Sequence, residues 1–184
     1  MKLREVFGKN PRVLILEFFM GEADRSFSLT EIAKKTKVSI GSAFAHCEEL
    51  YRKKILLREK KGKSTYYCLN RKEKTAKELK KFSNLISDPL ESLIKEFAGR
   101  KIRKIILFGS YARGEDRKDS DIDLLVVGDV QPSEAILIAN RLSVAYKTRF
   151  SVIVRTLEEY LALEKNEGVL WRKINLEGVT IYET

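Results

Sequence analysis

The residues of this 184-residue chain best suited to chemistry lie within 105–127, the stretch IILFGSYARGEDRKDSDIDLLVV. Two apolar runs bracket Gly109-Ser110, then ten residues, then Asp121, one residue and Asp123. Side chains two apart on a strand share a face, so Asp121 and Asp123 would project together and offer carboxylate oxygens to a hard divalent cation, Mg²⁺ or Mn²⁺. At Gly109 the missing side chain would let the backbone approach a phosphate. The amides and hydroxyl of Ser110, at the start of a helical turn, would donate hydrogen bonds to it. A cation bridging the carboxylates and a triphosphate would stabilise the charge that develops as pyrophosphate leaves. Alone, Gly-Ser is more often a simple turn and Asp-x-Asp a solvated strand end. Their combination at this spacing, between two apolar strands, is the specific signal.

The surrounding pattern supplies a frame for these residues. Asp88 reads as a helix cap with Pro89 in the first turn and Glu91 completing a capping box, ahead of the stripe Leu90, Leu93, Ile94 and Phe97. Then come a strand over 104–108, the Gly109-Ser110 turn, a strand over 121–127, a helix over 133–146 and a strand over 150–154. Thr156 with Glu159 begins another capped helix, and the apolar tail 171–182 suits a short helix and a strand. The order is α+β, a mixed sheet with flanking helices.

On residues 105–127 and this element order, the segment 88–184 resembles the minimal nucleotidyltransferases of the DNA polymerase beta superfamily. The resemblance implies that Asp121 and Asp123 are catalytic metal ligands and that Gly109 and Ser110 bind the nucleotide. Arg113, in GSYARGE, is implied as a phosphate-side or structural arginine. The family carries a third acidic residue on the later strand, where it completes the metal site and helps activate the attacking hydroxyl. Here that strand reads Arg149-Phe150-Ser151-Val152-Ile153-Val154, with Ser151 in the acid's place. A serine is a poor ligand and a poor base, so nucleotide binding would survive while transfer slows or stops. In a different register, Asp129 or a distant Glu would complete the site.

Charge divides the chain. Residues 1–88 hold 21 Lys and Arg against 11 Asp and Glu, while residues 89–184 hold 15 of each class, so the net +10 sits in the first part. That asymmetry suits a polyanionic partner, although a solvated basic surface has the same composition. Asn10 and Pro11 start a helix that Gly21 follows. Ser28 with Glu31 caps a second helix to Thr36, Ser39 caps a third to about Lys54, and strands over 56–60 and 64–69 flank a three-residue loop, Lys61-Gly62-Lys63. Residues 1–70 thereby resemble a winged helix-turn-helix domain, and 71–87 reads as a connecting helix. The resemblance implies DNA as partner, with Ser39, Ser42 and Arg52 on or near the recognition helix and Lys60, Lys61 and Lys63 on the wing. It also allows protein contacts or a homodimer, for which Phe44 and Tyr51 are the candidate core or dimer residues.

The longest apolar runs are far shorter than the roughly 20 residues of a membrane span, and residues 1–10 do not read as a signal peptide, so a cytoplasmic protein is expected. Cys47 and Cys68 have no ligand-like spacing, and one histidine, His46, leaves metal binding to carboxylates. Three functions are compatible with these residues. The first is a metal-dependent enzyme moving an NMP from an NTP to a hydroxyl of a protein, nucleic acid or small molecule, antitoxin-like, with a HEPN-domain partner. The second is a DNA-binding regulator that senses nucleotide without turning it over. The third is an interaction scaffold that binds neither ligand.

Overall fold

The computed structural model describes residues 1–166 and 168–184. They form two compact units, Met1–Ile86 and Ser87–Thr184, and the class is α+β. No helix among the described residues is long and apolar enough to cross a membrane.

The first unit begins with α1 (Leu3–Phe7) and α2 (Pro11–Gly21). Asn10 caps α2 by accepting from the Val13 amide at 3.1 Å. After the two-residue strand β1 (Phe27–Ser28) comes α3 (Leu29–Thr36), where Ser28 and Glu31 form the reciprocal capping box expected of them. Lys37 ends α3 in a left-handed conformation, and Ser39 starts α4 (Ile40–Arg52) by accepting from the Ser42 amide at 3.1 Å. Strands β2 (Leu56–Lys61) and β3 (Ser64–Leu69) pair antiparallel, with β1 on the far side of β3.

The hairpin loop is shorter than its sequence suggests. Lys61 pairs with Ser64, so only Gly62 and Lys63 turn the chain. Gly62 takes φ 60° at the first turn position, which closes a two-residue hairpin without splaying the strands. Ile15, Phe19, Phe27, Ile32, Ala43, Cys47, Leu50, Leu56 and Tyr67 make the core. The last helix, α5 (Lys74–Leu85), adds Ala76 to that core and rests Phe82 against Phe7, ring centroids 5.8 Å apart. Glu48 ties α4 to the hairpin: the Tyr67 hydroxyl donates to it at 2.6 Å, and one Arg58 nitrogen reaches both its oxygens at 2.9 and 3.0 Å.

The second unit opens with α6 (Asp88–Phe97). Its cap residue is Ser87 rather than Asp88, and no side-chain cap bond forms. Asp88 instead lies in the first turn, where a negative charge still favours the helix dipole. Then follow β4 (Ile102–Phe108), α7 (Gly109–Arg113), β5 (Ile122–Gly128), α8 (Pro132–Tyr146), β6 (Phe150–Arg155), α9 (Leu157–Asn166), α10 (Val169–Glu177) and β7 (Val179–Glu183).

The sheet order is β6-β5-β4-β7. Strand β5 is parallel to β6, which requires the crossover that α8 supplies, and β4 is antiparallel to β5 and β7. Residues 122 and 124–128 of β5 are all buried, as a central strand covered on both faces must be. Ile106, Phe108, Leu125 and Val127 cluster with Ile174 of α10. The alternate residues Ile105, Leu107, Leu124 and Val126 are equally buried, which leaves β5 rigid where it meets Asp123.

Candidate active site

Asp121 and Asp123 flank Ile122, whose side chain is fully buried. The Ile122 amide donates to the Arg149 carbonyl at 2.8 Å. With Ile122 fixed inward, its two neighbours lie on the opposite face of the strand end, both half-buried. Asp121 itself precedes the first strand residue. Asp123 is the register partner of Phe108, the last residue of β4, and of Ser151 on β6.

Gly109 follows Phe108 at φ 75°, and a Cβ built on it would lie 2.3 Å from Asp123 Oδ2. Glycine is therefore needed twice over, for its backbone conformation and for the space. The room at Gly109, expected for a phosphate, is filled on this side by the Asp123 carboxylate. The Gly109-Ser110 turn is the start of α7, with Ser110 half-buried as its second residue.

Burial, and then the charge of Asp121, raise the Asp123 carboxyl above the usual aspartate range. A hydrogen bond from Ser151 and the charges of Lys173 and Arg149 act the other way without cancelling the shift. Two carboxylates that repel each other in a partly dry setting favour a cation. Arg149 fills part of that role. Its Nε donates to Asp121 Oδ1 at 2.6 Å and its Nη2 to Oδ2 at 2.5 Å. The guanidinium is 77% exposed and the carboxylate 23%, so water competes for the pair and it exchanges easily for another ligand.

No group of three or more His, Cys, Asp or Glu among the described residues is arranged to hold a metal. Asp129 does not complete the site. It follows Gly128 at the opposite end of β5, 81% exposed and beside Lys101. Two carboxylates on one face nevertheless fit Mg²⁺, which takes one or two carboxylates and fills its other positions with substrate phosphates and water.

The sequence profile of the family described as Polymerase beta, Nucleotidyltransferase matches residues 91–184. The chain belongs to that family. A protein of Methanocaldococcus jannaschii named "Putative protein adenylyltransferase" is 37% identical over 100 residues, which cover 53% of this chain and 94% of that one. A second protein of the same name and organism is 39% identical over 59 residues, 29% of this chain and 60% of its own length. A crystal structure of a toxin-antitoxin with AMP-PNP is 22% identical, covers 53% of this chain and 75% of its own, and superposes with a TM-score of 0.42.

Within the nucleotidyltransferase unit, Arg113 is held between two acids. Its Nε donates to Glu115 at 2.6 Å, and its Nη1 pairs with Glu177 of α10. These bonds clamp α7 to α10. Arg149 and Lys173 are the residues near the carboxylates that the motif does not disclose. Arg149 shares strand parity with Ser151, so the register of β6 on β5 would have revealed it. Lys173 is brought in by α10 and leaves no mark in the motif.

The candidate DNA residues all lie in the first unit. The Ser39 hydroxyl is engaged in capping α4, Ser42 is half-buried, and Arg52 is exposed at the helix end. Lys60 and Lys61 are exposed on β2 and Lys63 is exposed in the turn. Lys61 pairs with Glu59 at 3.0 Å.

Proposed function

We propose that this chain transfers a nucleoside monophosphate, AMP first among them, from a nucleoside triphosphate to a hydroxyl group of a partner protein. Its first unit, in this reading, is a winged helix-turn-helix that attaches it to DNA. The observation that carries the transferase reading is the pair Asp121 and Asp123, flanking buried Ile122 beside Gly109 and Ser110.

A bound Mg²⁺ or Mn²⁺ would neutralise the phosphate oxygens and the departing pyrophosphate. Asp121 and Asp123 would hold it. Ser110 would orient the phosphates, and Arg149, released from Asp121, would present its fork of donors to them. The acceptor oxygen would bond to the α-phosphorus as the α–β bridge breaks, and pyrophosphate would leave with the electron pair. With Ser151 where a base would stand, the acceptor proton would pass to water, which makes for slow turnover.

AMP and a protein acceptor are supported by the 37% identity to a protein named for that activity. The family resemblance read from the motif adds an acceptor class, a HEPN-domain toxin modified on tyrosine. The DNA reading is supported by the basic excess of the first 88 residues and by the helix, turn, helix, hairpin order.

The test is incubation of purified protein with Mg²⁺, host lysate and NTPs labelled at the α- or the γ-phosphate. Label entering a discrete protein from the α-position alone, and lost in Asp121→Asn and Asp123→Asn, is the expected result. Label from the γ-position would make the chain a phosphotransferase instead.

A second reading is favoured by Ser151 opposite Asp123 and by the Arg149 fork on Asp121. In it the second unit binds Mg-nucleotide without turnover and tunes DNA binding. Nucleotide-dependent DNA affinity with no pyrophosphate release would select it.

A further inference from the structure

The outer face of α4 carries chemistry that the basic composition of the first unit does not suggest. Ala43, Cys47 and Leu50 point into the core, while Ile40 and Phe44, one turn apart, are 56% and 52% exposed. Gly41 and Ala45 are exposed beside them. Gly41 lies within the helix although nothing stands within 4 Å of where its Cβ would be. Packing therefore does not require a glycine, a poor helix former, at that position.

Bidentate base readout takes Arg or Lys for guanine or Asn or Gln for adenine, and a free carboxylate accepts from cytosine. Residues 40–47 contain none of these. The next two acids are engaged, Glu48 by Tyr67 and Arg58, and Glu49 by Arg12 and Lys53. Ser39 is used as the helix cap.

The first unit that carries this apolar face also carries exposed cations on the neighbouring elements of the helix, turn, helix, hairpin order. Lys34 on α3, Lys37 in the turn before α4, Lys60 on β2 and Lys63 in the hairpin turn are exposed, and none has an ion pair among the described residues. The Glu48 network holds the hairpin to α4. An apolar strip accompanied by unpaired lysines is complementary to a surface with apolar groups set between phosphates. The major groove of duplex DNA offers that arrangement at thymine, whose C5-methyl accepts apolar contacts of the kind Phe and Ala make.

Resting on the DNA-binding reading above, we propose that α4 reads thymine methyl groups through Ile40, Phe44 and Ala45. The bare backbone at Gly41 lets the helix approach closely, and Lys34, Lys37, Lys60 and Lys63 hold the phosphates. Specificity in this protein is thus for A·T-containing sites and is apolar, while affinity is electrostatic and salt-dependent.

The deciding experiment compares full-length protein on two fluorescent duplexes of one A·T-rich sequence at fixed ionic strength, one with thymine and one with deoxyuridine, which lacks only the methyl. The thymine duplex binds tighter by about fourfold for each methyl buried. Ile40→Ser with Phe44→Ser lowers the ratio by the factor that these two side chains supply, leaving at most the share of Ala45, and keeps affinity for the deoxyuridine duplex in place. Both side chains are exposed, so the fold tolerates the change. Lys60→Ala with Lys63→Ala weakens both duplexes alike and preserves the ratio.

Equal wild-type binding to both duplexes overturns the methyl reading and leaves DNA binding standing. Absence of binding to either duplex at low salt overturns both. If Phe44→Ser changes the oligomeric state in solution and leaves the thymine-to-deoxyuridine ratio untouched, the face is a protein contact and the proposal is wrong.

Discussion

Asp123 of β5 and Ser151 of β6 are register partners across a parallel strand pair, and the Ser151 hydroxyl is among the groups that favour the charged carboxylate. The position best placed to add a third acid is thereby neutral. Ser151→Asp is expected to lower stability in the absence of divalent cations by on the order of 1–2 kcal/mol, since one pKa unit of repulsion is about 1.4 kcal/mol. Mn²⁺ should restore it, and transfer should accelerate. Urea unfolding with chelator and with Mn²⁺ measures the first effect. Unfolding that ignores Mn²⁺ would remove position 151 from the cation site.

Arg149 competes for the oxygens of Asp121 that a cation would use. Arg149→Met is expected to tighten Mn²⁺ binding by about two- to fivefold, the range set by exposed ion pairs. The thermal midpoint should not move, because the fork is open to solvent. Calorimetric titration in the absence of nucleotide reads this directly, and weaker Mn²⁺ binding in the variant would refute the competition.

Gly109→Ala places a methyl group on Asp123 and forces φ 75° on a residue with a side chain. The left-handed backbone costs about 1–2 kcal/mol. Displacement of the Asp123 carboxylate is a second, functional effect, so Mn²⁺ and NTP binding should fall about as far as in Asp123→Asn. If the alanine variant binds both as the wild type does, Gly109 serves only the backbone.

In the first unit, Glu48 is held below the usual glutamate range by the Tyr67 hydrogen bond first and by Arg58 second, against the cost of burial. A carboxyl depressed in the folded state contributes stability that is present above its unfolded value near 4.5 and is lost as pH falls through the folded value. Tyr67→Phe should cost about 1.5 kcal/mol at neutral pH, as loss of a hydrogen bond to a charged group does, and should shrink the acid-side loss. Urea midpoints at pH 7 and pH 3 for both proteins give the comparison. An equal acid-side loss in the two would show that other carboxylates control it.

What the sequence discloses here follows the range of the interactions. The Asn10 cap, the Ser28–Glu31 box and the Thr156–Glu159 box are formed within four residues, and each stands where the pattern places it. The pair Asp121 and Asp123 is legible for the same reason. The five-residue α1 and the two-residue β1 are too short to show a period, and they exist because Leu3 and Phe27 are buried by distant neighbours. The Lys61 to Ser64 register and the Arg149 fork depend on how separate segments meet, which local spacing does not encode. That Ser151, and not Asp129, stands beside Asp123 agrees with the reading of the later strand, where the sequence puts Ser151 in the acid's place.

Asp121 and Asp123 together are expected to govern nucleoside monophosphate transfer. Its most direct measurement is the intact mass of the acceptor protein after reaction with ATP and Mg²⁺, in the presence of wild-type chain or of Asp123→Asn. A gain of one or more AMP units with the wild type and none with the variant is the predicted result. An unchanged acceptor with wild-type chain that binds Mg-ATP would contradict transfer and leave the nucleotide-sensing regulator in its place.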